Sequence, residues 1–161
     1  MRERIIRSIA RLSALAAAAW VGSFVPVAAA GESTTTSGVS GGIESKPSPC
    51  APGSGGVLCT AGRFTGDLEG PFTFTVDTVV PSGVEGYSLL TETVVARTGR
   101  GDLILQGAVV ANLRSGRFVG LARVTGGTGT WEGSTGEVRW WSAPTTSGGR
   151  AGAYNGVLTA R

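Results

Sequence analysis

Gly126-Gly127-Thr128-Gly129-Thr130-Trp131-Glu132-Gly133-Ser134-Thr135-Gly136 places five glycines within eleven residues. It separates two runs of strand character, Phe118–Val124 and Glu137–Trp141. Glycine adopts positive φ without steric cost, so this density suits a backbone that turns sharply, bulges and re-enters a sheet. The stretch is not a phosphate-binding loop, because no helical pattern follows it and the Lys-Ser/Thr pair is missing. It reads as the corner of a small β-barrel.

The runs on either side agree. Phe72-Thr73-Phe74-Thr75-Val76 alternates apolar and polar residues and continues to Val80, where Pro81-Ser82-Gly83 ends it. Tyr87–Arg97 is dense in β-branched and aromatic residues. Turns at Thr98–Gly101 and Arg114–Gly116 set off Asp102–Leu113 and Arg117–Thr125. Beyond the glycine corner come Glu137–Ser142, a loop with Pro144 and Gly148-Gly149, and a last strand Arg150–Ala160. With Gly62–Glu69 at the start, the count is seven or eight antiparallel strands and no helix after residue 56. A closed or nearly closed meander hides its edges, which favours a barrel; a two-sheet sandwich is the alternative.

The N-terminus has a different texture. Arg2, Arg4, Arg7 and Arg11 precede an apolar run from Leu12 to Val27, and Ala28-Ala29-Ala30 follows. This is the pattern of a signal peptide over residues 1–30, too short and too interrupted (Gly22, Pro26) for a stable membrane anchor. Residues 31–56 are rich in Gly, Ser, Thr and Pro and read as a flexible arm, leaving 57–161 as the barrel domain. The full chain carries 14 basic and 11 acidic residues, and the leader holds four of the former and one of the latter. The remainder is balanced, so nothing argues for nucleic acid as a partner. Arg123 and Arg139 then read as solvated surface, with the flank of a pocket mouth that attracts an anion as the alternative. Cys50 and Cys59, nine positions apart, are expected to form a disulfide in an exported protein.

The chain contains no histidine. Ser-His-Asp and Cys-His catalysis and imidazole metal sites are therefore excluded, and no metal site is expected. Chemistry would fall to carboxylates, Tyr or Arg, or to a shaped apolar cavity. Glu92 shares one strand face with Leu90 and Val94; held inside a barrel it would have a raised pKa and serve as a proton donor or ligand anchor. The opposite face, with Tyr87, Leu89 and Val95, is equally apolar, and if it is the inner one Glu92 is a surface acid. Tyr154 shares a face with Leu158 and is the second candidate for polarising a substrate. Trp140 shares parity with Val138 and is assigned to the interior, and with Phe72, Phe74 and Tyr87 completes the aromatic set for a ligand wall. Small residues on the strands (Gly107, Ala108, Gly120, Ala122, Gly152, Ala153) would leave room for a cavity.

The stretch Val124–Gly136 resembles the Gly-Gly-Thr-Gly-x-aromatic-x-Gly-Ala-x-Gly corner of the allene oxide cyclase barrel-like and dirigent proteins, with Ser134 where alanine is usual. Gly62-Arg63-Phe64-Thr65-Gly66, Gly101-Asp102-Leu103 and Tyr154-Asn155-Gly156 are similar to the secreted bacterial branch, so the likeness covers about residues 60–161. The resemblance implies an eight-stranded antiparallel barrel with an apolar interior, working without a cofactor, and by likeness alone a homo-oligomer. Plant members cyclise a fatty-acid epoxide or steer the coupling of phenoxy radicals; no catalytic residue of theirs maps onto this chain. The leading expectation is a secreted barrel that binds or steers a small apolar or aromatic molecule. Its alternatives are a cofactor-independent cyclase or isomerase using Glu92 or Tyr154, and a structural or interaction barrel with a filled interior.

Overall fold

A computed structural model of the protein describes residues 34–161; the expected signal peptide lies outside them. Eight strands follow one another around a closed antiparallel barrel, each bonded to its neighbours in sequence and the first bonded to the last. They are β1 Thr35–Ser48, β2 Leu58–Phe64, β3 Gly70–Pro81, β4 Tyr87–Thr98, β5 Gly101–Asn112, β6 Arg117–Gly127, β7 Thr135–Pro144 and β8 Arg150–Ala160. The glycine corner works as read. Thr125 is an extra residue in the β5–β6 ladder, a 3-10 turn spans Gly129–Trp131, and Gly129, Gly133 and Gly136 all take positive φ.

Two boundaries differ from expectation. Residues 35–48, read as part of a flexible arm, are β1, and the barrel begins there rather than at 57. β1 pairs with β8 from Thr35↔Ala160 to Ser45↔Arg150 and with β2 from Ile43↔Phe64 to Ser48↔Cys59. Its composition is misleading because Val39 and Ile43 are its only buried apolar side chains. Facing strands supply the rest: the Tyr154 ring lies where a Cβ on Gly41 would be, its hydroxyl 2.6 Å from that point. The run Gly62–Glu69 is also divided. β2 stops at Phe64, and Gly66–Leu68 is a 3-10 turn that drives Leu68 into the core.

Alternation along β4 decides the interior. Leu90, Glu92, Val94 and Ala96 are buried, so Tyr87 and Leu89 face out. Across the outer surface Val80, Leu89, Val110, Val119 and Trp141 pair directly from β3 to β7, and all five remain exposed. Both faces of these strands are therefore apolar.

The two barrel ends are unlike. At the end carrying the β2–β3, β4–β5 and β6–β7 connections, Leu68 and Trp131 are fully buried. Arg100 spans them, its guanidinium 4.3 Å from the Trp131 ring centre and its Nη2 donating to Asp67 O at 3.2 Å. The Trp131 indole donates to Thr98 Oγ1 at 2.9 Å. This end is shut. The opposite end carries the β1–β2 loop, whose Cys50 forms a disulfide with Cys59 of β2, the Cα atoms 5.1 Å apart. Closing so short a loop adds about 2.5–3 kcal/mol in the chain-entropy account.

Candidate functional site

A cavity of about 40 Å³ lies inside the disulfide end. Its deep wall is Ile43, Phe64, Phe72, Val76 and Val94, and its rim includes Phe74, Phe118, Trp140, Thr60, Ser45, Ser142 and Arg150. Strand parity explains the gathering. Phe72 and Phe74 project inward from β3, Trp140 and Ser142 from β7, and Phe118 from β6. Phe74 meets Trp140 edge-on, ring centres 6.2 Å apart, and Phe64 stacks on Phe72 at 4.3 Å. Phe74 and Phe118 are half-buried, so the rim is exposed to solvent where the floor is not.

The cavity is smaller than the small strand residues suggest, for a physical reason. The Trp140 indole lies over Gly120, within 2.5 Å of the point where a Cβ would stand. Phe72 covers Gly62 in the same way at 2.6 Å. These are cross-strand glycine–aromatic pairs, in which a ring lies flat across the gap its partner leaves. Gly107 and Gly152 mark close approaches of neighbouring strands, and Ala108 is on the outer face. Absent side chains here bring rings and backbones together.

Of the expected ligand-wall residues, Phe72, Phe74 and Trp140 line this cavity and Tyr87 does not. Tyr87 is 40% exposed on the outer face, a correction that follows from the parity of Ser88, Leu90 and Glu92. Phe118 and Arg150 are the residues sequence reading missed. Arg150 shares parity with Tyr154 and Leu158, which are both buried, so the strand's alternation carried the signal.

Glu92 is on the inner face with 1% exposure. Its strand neighbours are Val76 and Gly107, and neither carboxylate oxygen has a hydrogen-bond partner. Burial pushes its pKa up to about 9, and the nearby Asp77 charge adds to the rise. It is a neutral acid at pH 7. It is not on the cavity wall, but Val76 and Val94, which flank it, are.

Tyr154 belongs to the shut end. Its hydroxyl donates to Thr65 O at 2.9 Å and accepts from Leu68 N–H at 2.8 Å, which pins the 3-10 turn beneath the barrel. Burial raises its pKa, while the bond from Leu68 works the other way. Both bonds are backbone bonds, and the structure does not bring Tyr154 and Glu92 together on one cavity wall. Among the described residues no cluster of His, Cys, Asp and Glu suits a metal ion, and no helix is long and apolar enough to cross a membrane.

Fold and site define an eight-stranded antiparallel barrel with an aromatic mouth at one end. Comparison of the chain with known protein families, curated proteins and solved structures finds no match.

Proposed function

We propose that the protein is an exported, cofactor-free barrel that binds or steers a small apolar or aromatic molecule at its disulfide-end mouth. The observation that carries this reading is the one-ended aromatic cavity, where Phe72, Phe74, Phe118 and Trp140 converge while Leu68 and Trp131 lie buried at the far end. The volume limits the ligand. Drug-sized molecules occupy roughly 300–1,000 Å³, so this mouth suits a single ring or a short chain, admitted as Phe74 and Phe118 give way. The disulfide supports an oxidising compartment. The likeness of the glycine corner to allene oxide cyclase barrel-like and dirigent proteins supports the same class of ligand.

Titration with a neutral aromatic such as benzamide, followed by indole NMR shifts, tests the reading. Trp140→Phe is expected to weaken binding severalfold and Trp140→Ala at least tenfold, while Tyr87→Ala leaves it unchanged. Trp140→Ala also removes about 3–5 kcal/mol of stability, so the milder variant guards against unfolding. Equal binding by wild type and both Trp140 variants would end the proposal.

A cofactor-independent cyclase or isomerase is the second reading, favoured by the unpartnered Glu92 carboxyl. It requires a bound molecule to reach past Val76 and Val94. The exposed outer row from Val80 to Trp141 favours an interaction barrel, which predicts no ligand at the mouth at all.

A further inference from the structure

Arg150 opens β8 on its inward face, and it carries a positive charge to the rim of an otherwise apolar cavity. Its Nε donates to Ser142 Oγ at 3.2 Å, and its Nη2 donates to Ser142 O at 3.3 Å and to Gly116 O. One face of the guanidinium stacks on Phe118, 3.7 Å from the ring centre. These contacts fix the fork but none of them neutralises it. Among the described residues no carboxylate lies within ion-pair distance of Arg150, whereas Arg63, Arg114 and Arg139 each have an acidic partner. Nη1 makes no hydrogen bond to any described residue, so its two N–H groups remain unused. Partial burial lowers the pKa of Arg150, as expected of a cation that has lost water without gaining an anion.

The rest of the wall decides what kind of anion fits. Ser45, which faces Arg150 across the β1–β8 pair, and Ser142 supply hydroxyls on the same rim. Immediately inward lie Phe74, Phe118 and Trp140, then Val76 and Val94. A free inorganic anion would leave that apolar surface uncovered, and a long chain has nowhere to go beyond Val76 and Val94. We propose that the mouth selects a small aromatic monoanion, its carboxylate on the free Nη1 of Arg150 and its ring among Phe74, Phe118 and Trp140. A hydrogen bond between a guanidinium N–H and a carboxylate is charge-assisted, roughly twice as strong as one between neutral groups. The proposal rests on the ligand-binding reading of the same cavity and narrows it to one chemical class.

Benzoate and benzamide differ in charge and hardly in shape, and their affinities for the protein separate the two claims. Benzoate is expected to bind at least tenfold more tightly than benzamide at low salt, with the preference shrinking as salt is added. Arg150→Met is expected to abolish the preference while benzamide still binds. Arg150→Lys keeps the charge without an Nη1 donor held in place and is expected to retain part of it. Because Arg150 also holds the β5–β6 turn, near-UV circular dichroism checks each variant. If Arg150→Met does not fold, the salt response and Arg150→Lys decide. Equal affinity for the two probes, or a preference that survives in a folded Arg150→Met, would overturn the proposal and leave the binding reading intact. Binding of neither probe would remove both.

Discussion

Replacing Glu92 with leucine is expected to stabilise the barrel, by an amount that grows as the pH rises from 5 to 9. Unfolded, the carboxyl titrates near its ordinary value of 4.5; folded, it holds its proton up to about 9. Between those values the native state binds one more proton than the unfolded chain. Its contribution is therefore fully present below 4.5 and is lost as pH climbs towards 9, at about 1.4 kcal/mol per unit. By pH 8 the loss is on the order of 4 kcal/mol, a large share of what a domain of this size possesses. An orphaned polar group adds its own cost at every pH, since neither oxygen has a partner. Urea denaturation at pH 5 and pH 8 reads both effects. Wild type should be distinctly weaker at pH 8, and Glu92→Leu nearly level. Glu92→Gln should also be level but less stable than the leucine variant, because its amide stays unpaired. Parallel slopes for wild type and Glu92→Leu would mean that the carboxyl has found water or a partner.

Gly152→Ala is expected to have the opposite effect, a loss of about 3 kcal/mol or more. A Cβ at residue 152 would stand 1.8 Å from the carbonyl oxygen of Trp141 and 2.7 Å from the Ser142 Cα. Both are backbone atoms of the paired strand β7, so relief requires β7 and β8 to separate where Ser142↔Gly152 holds them. Gly38→Ala is the control. Nothing lies within 4 Å of a Cβ there, and the backbone is not in the left-handed region. It should be neutral or slightly stabilising, through the lower entropy of the unfolded chain. Thermal melts of the two variants side by side check the contrast; similar behaviour would refute the account of close strand approach.

How much of this was legible in the sequence depended on whether one strand face was clearly polar. Phe72-Thr73-Phe74-Thr75 announced its inner side because the threonines marked the outer one. β4 did not, since Tyr87 and Leu89 are as apolar as Leu90 and Val94 yet face the exposed outer surface. The placement of Glu92 stayed open for that reason, and Tyr87 was assigned to the wrong face. β1 was hidden for a complementary reason. Gly41 stands where Tyr154 needs space, so the strand lacks the bulky residues that betray a core element. Cavity size was equally out of reach, because a glycine in a strand looks the same whether it leaves a hole or accepts a neighbour's ring. The glycine corner, by contrast, depended on backbone chemistry alone and read correctly.

The pairing of β1 with β8 joins residues more than a hundred positions apart, as in Thr36 bonding to Thr159. No fragment that stops short of β8 can complete that seam. Closure of the barrel must wait for β8, and a pairing so distant in sequence predicts slow acquisition of the native state. A chain lacking β8, Arg150–Ala160, would present two raw hydrogen-bonding borders and would tend to join with its own kind.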